Sequence, residues 1–442
     1  MREEIVAAVR QAGVVGAGGA GFPTHVKINA AAAVVIANGA ECEPLLRANQ
    51  HLLAVESRRL VLGMNAVMLA TGASRGYIGV KRKYEAGVAA LQAELAAHAG
   101  SLELFFLPDM YPAGDEHVLV YEVTGRIVPE GGIPLQVGAI VANVETLVNI
   151  ARSLEGTPVT EKYVTVTGAV RSPATYIVPV GMKVADLVAL AGGASVAGPA
   201  FIDGGPMMGR VIDDQAVVTK TTGGIIVLPR EHSLITQKNA AWTVVSNRAK
   251  AVCCNCMACT EVCPRHLLGH RLQPHRIMQA IGRGQMNEAS LFATAFLCSE
   301  CGACETFGCT MGLSPRRVNA EIKKQLAGAG IKNNCKLAPQ AVSARRENSR
   351  IPTKRLLARL GLSQYDAKAP LVLTPAVVKE VRIPLSQHIG APARPVVTAG
   401  QAVNKGDLIA VIPEGAALGA NVHASIDGQV FAVGQTIGIR TV

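Results

Sequence analysis

Two cysteine runs constrain this chain more than any other feature. Cys253, Cys256, Cys259 and Cys263 have two, two and three residues between them, and Pro264 follows directly. Cys298, Cys301, Cys304 and Cys309 have two, two and four, and this run starts 45 residues after the first. Triplets this tight let one short loop present three thiolates to a single polynuclear centre. The fourth ligand must come from elsewhere. Zinc is the simpler alternative, but its sites usually show two cysteine pairs separated by a dozen or more residues. Two compact triplets fit that poorly.

The first run has the spacing of bacterial two-cluster ferredoxins, including the proline. Two [4Fe–4S] clusters are expected, with all eight cysteines as ligands. In those ferredoxins the fourth cysteine of each run ligates the other cluster. By that analogy one cluster takes Cys253, Cys256, Cys259 and Cys309, and the other takes Cys263, Cys298, Cys301 and Cys304. Between the runs, 274–281 and 288–296 have helical composition. Cys254 is off register and reads as a bystander, and Cys335 as a free thiol. His266, His270 and His275 lie near the first run and read as supporting or surface residues.

At roughly 100–200 residues per domain, 442 residues imply three or four domains. The apolar fraction is aliphatic, with only 16 aromatics, which disfavours stacking surfaces for bases or sugars. No 18-residue apolar run occurs, so no transmembrane helix is expected. The start, Met1-Arg2-Glu3-Glu4, lacks the apolar core of a signal peptide. These features read as cytosolic, where cysteines serve as ligands or reactive thiols rather than disulfides. The net charge of +11 is concentrated: 241–360 holds 18 Lys and Arg against 6 Asp and Glu. The cysteine runs lie in that segment, where cations offset the negative charge of a thiolate-bound cluster. A nucleic-acid role finds no zinc-finger spacing or RNA-binding aromatic motif to support it.

A second motif lies near the start, where 16–27 read Gly-Ala-Gly-Gly-Ala-Gly-Phe-Pro-Thr-His-Val-Lys. Gly16, Gly18 and Gly21 formally match the dinucleotide fingerprint, but that fingerprint should follow a strand. Here Ile5, Val6 and Val9 recur at helical spacing just before it. The expected order is helix, glycine loop, Thr24-capped helix, then a strand over 34–37. The loop is either a turn-rich connection or a cradle for a phosphate or flavin, with Lys27 as the cation. Asn38-Gly39-Ala40-Glu41-Cys42-Glu43-Pro44 then falls at the carboxyl end of the strand, where open α/β sheets bind ligands. Further polar groups are Tyr111-Pro112-Ala113-Gly114-Asp115-Glu116 and Asn143-Val144-Glu145-Thr146. Singly, each reads as a cap or turn.

Together these stretches resemble the flavin-binding subunit of respiratory complex I and the C subunit of the Rnf complex. The resemblance implies that Gly16, Gly18, Gly19, Lys27, Asn38, Glu41, Asn143 and Thr146 line FMN. It implies that Phe22, Glu43 and Glu116 face the nicotinamide nucleotide. Two departures bear on the nicotinamide side: Ala17 stands where complex I has arginine, and 124–138 contains no Phe or Trp. Residues 163–213 are similar to the β-grasp, soluble-ligand-binding module of the same lineage, read here as a structural spacer. The strand-rich end looks like a barrel-sandwich hybrid, as in biotinyl and lipoyl carriers. Its hairpin tip, Ser425-Ile426-Asp427-Gly428, has no lysine, so no swinging arm is expected. With this module last, the domain order looks like that of the cobalamin reductases of propanediol-utilisation microcompartments.

The expected fold is multidomain α/β and α+β. A Rossmann-like FMN and NADH domain spans 1–160 and the β-grasp module 161–235. A helical two-cluster ferredoxin domain spans 240–330, a linker 331–368 and the barrel-sandwich hybrid 369–442. The resemblance implies electron transfer from NADH through FMN and two [4Fe–4S] clusters to cob(III)alamin and cob(II)alamin, with no catalytic acid or nucleophile. It implies a cytoplasmic home in a bacterial microcompartment, a corrinoid adenosyltransferase and shell proteins as partners, and no membrane or nucleic acid; it admits a homo-oligomer. One alternative is an Rnf-like subunit feeding another acceptor; the other is a non-catalytic iron–sulfur protein that binds nucleic acid or a scaffold. The N-terminal helix reads either as a targeting signal or as packing for the flavin domain.

Overall fold

A computed structural model describes residues 1–96, 100–285, 287–374 and 376–441. The first unit is built on a four-stranded parallel sheet in the order Leu102–Leu107, Arg75–Lys81, Val34–Asn38, Ala139–Asn143. Val34, Val35, Ile36 and Ala37 are all buried, as an unbroken apolar run should be when helices cover both faces of a sheet. Helices Ser57–Thr71 and Val144–Leu154 pack on one face. They approach so closely that a Cβ on Gly63 would sit 2.0 Å from the Leu147 carbonyl oxygen. The helix Arg2–Gln11 buries Ile5 and Val9 in the same core, so it packs on this first unit.

The short helix Thr24–Lys27 departs from expectation in its cap. Pro23 holds the N-cap position, and the Thr24 N–H bonds the Val14 carbonyl instead. The antiparallel bridge between Val15 and Pro23 draws it there and closes the glycine loop into a ring.

The middle unit is a six-stranded sheet with the helix Val184–Leu190, and its edge strand Leu371–Val372 comes from the C-terminal segment. The last unit has a four-stranded and a three-stranded sheet. Val180, Met182 and Val218 share one core with Val381, Ile383, Ile437 and Ile439, so the two units are welded rather than tethered. The turn at Ser425 is pinned by its Oγ donating to the Val180 carbonyl. That turn also links strands of two different sheets, Val422–His423 and Gly428–Val433. It is a buried joint and no free arm. Residues 331–368 run along the first unit, where Ile351–Pro352 pairs with Met110–Tyr111 and Arg346 with Glu122. Among the described residues, no helix is long and apolar enough to cross a membrane.

Lys220 closes the joint between all three of these units. It is buried, and its Nζ donates to the carbonyls of Gly13 and Asn421, each at 2.7 Å. Burial without a carboxylate partner lowers its pKa to about 7. The unfolded chain therefore binds more protons between pH 7 and about pH 10.4, and stability rises with pH across that window. His388 and His423 beside it are held neutral, below their ordinary values, by burial. Lys220→Met should flatten the rise, which has a ceiling of about 1.4 kcal/mol per pH unit. Denaturant melts of both proteins from pH 7 to 10 check this, and parallel curves would refute it.

Candidate functional site

Asn38 and Asn143 are register partners at the carboxyl ends of adjacent parallel strands. Each is held by its own loop. Asn38 accepts from the Ala40 N–H and donates to the Gly114 carbonyl at 2.8 Å. Asn143 caps the helix Val144–Leu154 by accepting from the Glu145 N–H. The glycine loop lies over these ends. Thr146 Oγ1 accepts from the Ala17 N–H at 2.9 Å, and a Cβ on Gly18 would sit 3.2 Å from the Asn143 amide nitrogen. Gly19 has φ +83° and open space where a Cβ would be, and Gly18, Gly19 and Ala20 are exposed. Lys27 and Glu116 form an ion pair at 3.1 Å, both partly exposed. An open backbone cradle with a cation beside it suits a phosphorylated flavin, so these residues fit the group.

Two of the carboxylates expected at this site are engaged elsewhere. Both Glu43 oxygens accept from N–H groups of the β-grasp unit, Met207 and Met208, at 2.9 Å. Its contacts are those of an interdomain tether, and the β-grasp unit thereby does more than space its neighbours. Glu41 has a positive φ of 34° and accepts from the Asn49 N–H. Burial raises its pKa to about 7, so its proton is exchangeable near neutrality. Phe22 is partly exposed beside the loop, and its carbonyl accepts from the Gly16 N–H, which half-buried Gly16 donates.

The thiols form two sets. Cys253, Cys256, Cys259 and Cys309 line one cavity, with Cys254 as a fifth thiol in its wall, and Cys263, Cys298, Cys301 and Cys304 line another. The loops repeat in backbone as well as sequence: Asn255 and Glu300 have φ of 56° and 58°, and Met257 and Gly302 have 64° and 79°. These left-handed residues bend each loop around its cavity. The extra residue of the second run appears as a π turn over Cys304–Gly308, where the first run has the α turn Ala258–Glu261. Backbone N–H groups already face the sulfurs, Glu300 towards Cys298 and Leu313 towards Cys309, both at 3.3 Å. Burial pushes the Cys259 and Cys263 thiols up to about 12, and neighbouring thiolates add to it. Binding a metal centre there must displace protons. Among the described residues no three His, Cys, Asp or Glu converge on one point as around a single ion. The donor set is thiols spread around two cavities with no carboxylate in either lining, which fits iron–sulfur cubes.

The loop over 111–116 joins cradle and thiols. Gly114 binds Asn38, the Tyr111 hydroxyl donates to the Cys301 carbonyl at 2.5 Å, and Asp115 pairs with Arg265 at 2.5 Å. Arg265 directly follows Cys263-Pro264, so the second quartet abuts the cradle. Sequence reading missed these contacts; they cross 150 and 190 residues of chain. It also missed the reach of the C-terminal unit to the cradle, where the Ile389 N–H donates to the Ala20 carbonyl of the glycine loop. Of the two readings of the three histidines, supporting or surface, burial favours the first. His270 and His275 are buried, His266 is half-buried, and His275 lines the first cavity. Cys254 is exposed, while Cys335 is buried against the Ala293 carbonyl.

Residues 9–152 match the Nuo51 FMN-binding domain, 163–211 the SLBB domain, 252–314 the 4Fe-4S dicluster domain and 365–440 the RnfC barrel sandwich hybrid domain. The chain is 46% identical over 427 residues to cobalamin reductase PduS of Citrobacter freundii, covering 96% of this chain and 93% of that one. The chain belongs to the PduS cobalamin reductase family. The PduS of Salmonella typhimurium LT2 is 45% identical over 435 residues, covering 98% and 95%. The C subunit of the Na(+)-translocating ferredoxin:NAD(+) oxidoreductase complex of Acetobacterium woodii is 37% identical over 267 residues, 59% of this chain and 57% of that one. An NAD+-reducing [NiFe]-hydrogenase in its H2-reduced state shares the fold, with TM-score 0.50 and 23% identity over 76% of this chain and 64% of its own. As a PduS-family member the chain is an oxidoreductase carrying FMN-binding and 4Fe-4S domains, the same units the geometry separates.

Proposed function

We propose that this chain is an NADH-dependent cobalamin reductase working through one FMN and two [4Fe–4S] clusters. The 111–116 loop carries the reading. It touches the glycine cradle through Gly114 and the second quartet through Tyr111 and Asp115. Gly16, Gly18, Gly19, Lys27, Asn38, Asn143 and Thr146 would hold FMN, and Glu41, with its proton exchangeable near neutrality, would lie at its edge. Phe22 and Glu116 would face the nicotinamide. Cys253, Cys256, Cys259 and Cys309 would ligate one cluster, and Cys263, Cys298, Cys301 and Cys304 the other. Bound flavin supplies the conversion of a two-electron donor into one-electron steps that clusters can carry. The protein's part is to fix the two kinds of site on one rigid loop and to keep water from the buried thiols Cys263, Cys301 and Cys304. No side-chain acid or nucleophile is needed. The acceptor would be cob(III)alamin and then cob(II)alamin, in a propanediol-utilisation microcompartment, handing on to a corrinoid adenosyltransferase. The proposed domain limits are those of the sequence reading.

The test is anaerobic. Holoprotein, NADH and hydroxocobalamin alone should give NADH-dependent bleaching of the cobalamin band. A second reading, an Rnf-like subunit with a protein acceptor, is favoured by the identity to the Acetobacterium woodii protein. Ferricyanide reduction without any cobalamin reduction would select it.

A further inference from the structure

The two thiol cavities are built on an internal repeat that is broken at one telling position. The helix Pro274–Gly282 follows the first run, and Pro315–Gly328 follows the second. Pro274 lines the second cavity, while His275 and Met278 line the first. Pro315 lines the first cavity, while Arg316 and Asn319 line the second. The offsets are identical, so Met278 and Asn319 are counterparts. Both are buried, at 2% and 1% exposure. One wall presents a thioether where the other presents an amide.

Among the described residues neither Nδ2 nor Oδ1 of that amide makes a hydrogen bond. An unpaired buried amide is costly, and an apolar residue of similar volume would relieve it. Its placement in the wall of a thiol cavity points to a group that takes its hydrogen bond. The same wall includes the Cys298 sulfur, which already accepts from the Glu300 N–H at 3.3 Å. Arg316 adds little net charge, because Glu305 pairs with it at 2.7 Å.

We propose that Asn319 Nδ2 donates a hydrogen bond to a sulfur of the centre held by Cys263, Cys298, Cys301 and Cys304, raising its reduction potential. This rests on the reading that each quartet holds a cluster. A donor at sulfur stabilises the extra negative charge of the reduced state, and such bonds are among the factors that set cluster potentials. Met278 offers the other cluster no such donor. The repeat has thus made two centres of like ligation and unlike environment, and Asn319 is a positioning residue that distinguishes them.

The experiment is an EPR-monitored redox titration of the anaerobic holoprotein, with Cys256→Ala used to assign the two signals. Asn319→Leu should weaken electron binding at its own cluster by about tenfold, about 59 mV for one electron, and leave the other signal unmoved. Met278→Asn should raise the potential of the first cluster alone. In deuterated buffer, ENDOR of the wild type should show an exchangeable coupling to the second cluster that Asn319→Leu loses, while that of the Glu300 N–H facing Cys298 remains. If Asn319→Leu fails to take up iron, Met278→Asn still decides. Intact iron with unmoved potentials and the same exchangeable couplings in wild type and Asn319→Leu overturns the role of the amide alone. A protein free of iron overturns the underlying function as well.

Discussion

Cys256→Ala is expected to leave the anaerobically purified chain with about four iron atoms instead of about eight, and with its FMN in place. The expectation follows from how the thiols are partitioned. Cys256 lines only the first cavity, and the second takes its walls from Cys263, Cys298, Cys301 and Cys304. Cys256 is exposed, so truncating it removes a ligand without opening a packed core. The glycine cradle is made by Thr146, Asn143 and Asn38, and its bond to the thiol region runs through the second quartet. Iron, sulfide and flavin analysis on one sample reads the result. Loss of flavin together with iron would show that cradle and first quartet do not fold separately. Unchanged iron would show that Cys256 is no ligand, and zinc without labile sulfide would replace both cubes.

Where the sequence was informative, a local chemical requirement fixed several residues at once. The cysteine runs carried their own spacing, and the two cavities divide the eight motif cysteines into the sets that the ferredoxin analogy proposes, with Cys254 as a fifth thiol beside the first set. Asn38 and Asn143 were legible because each ends an apolar run, and the register then set them side by side. What stayed hidden was contact between distant segments. Nothing local marks Tyr111 as a donor to Cys301, since a buried tyrosine needs some acceptor and the sequence does not say which. Glu43 carried the opposite lesson: the motif made it a ligand-facing group, and two N–H groups from 164 and 165 residues away claimed its oxygens. The histidines were left open between supporting and surface residues, and burial selects the first: His270 bonds the Val128 carbonyl from a position 2% exposed.

Asp115→Asn should cost about 3–5 kcal/mol of stability, the usual result of breaking one side of a buried ion pair. The two side chains are 9% and 10% exposed, so little water remains to take over the charge of Arg265. Asn is the right probe because it keeps the other task of Asp115, which caps the helix Glu116–Thr124 through the N–H groups of His117 and Val118. The loss then reports the charge and not the cap. Its pH dependence has a definite sign. Burial pushes the Asp115 carboxyl up, but the Arg265 charge and hydrogen bond outweigh this and hold it below the ordinary carboxylate range. Such a group contributes stability above its unfolded pKa of about 3.9 and loses it only as pH falls through the lower folded value. His117 beside it, lowered to about 3 by burial and by Arg265, stays neutral throughout the working range. The penalty should therefore be flat from pH 6 to 8 in denaturant melts of the anaerobic protein. A penalty that changed over that range would implicate another titrating group. The same variant loosens the loop that binds Asn38 on one side and Cys301 on the other, so reduction of the second cluster by flavin should slow even where both cofactors remain bound. Fast electron transfer in a destabilised Asp115→Asn protein would show that the ion pair holds the fold and leaves the electron path to Tyr111.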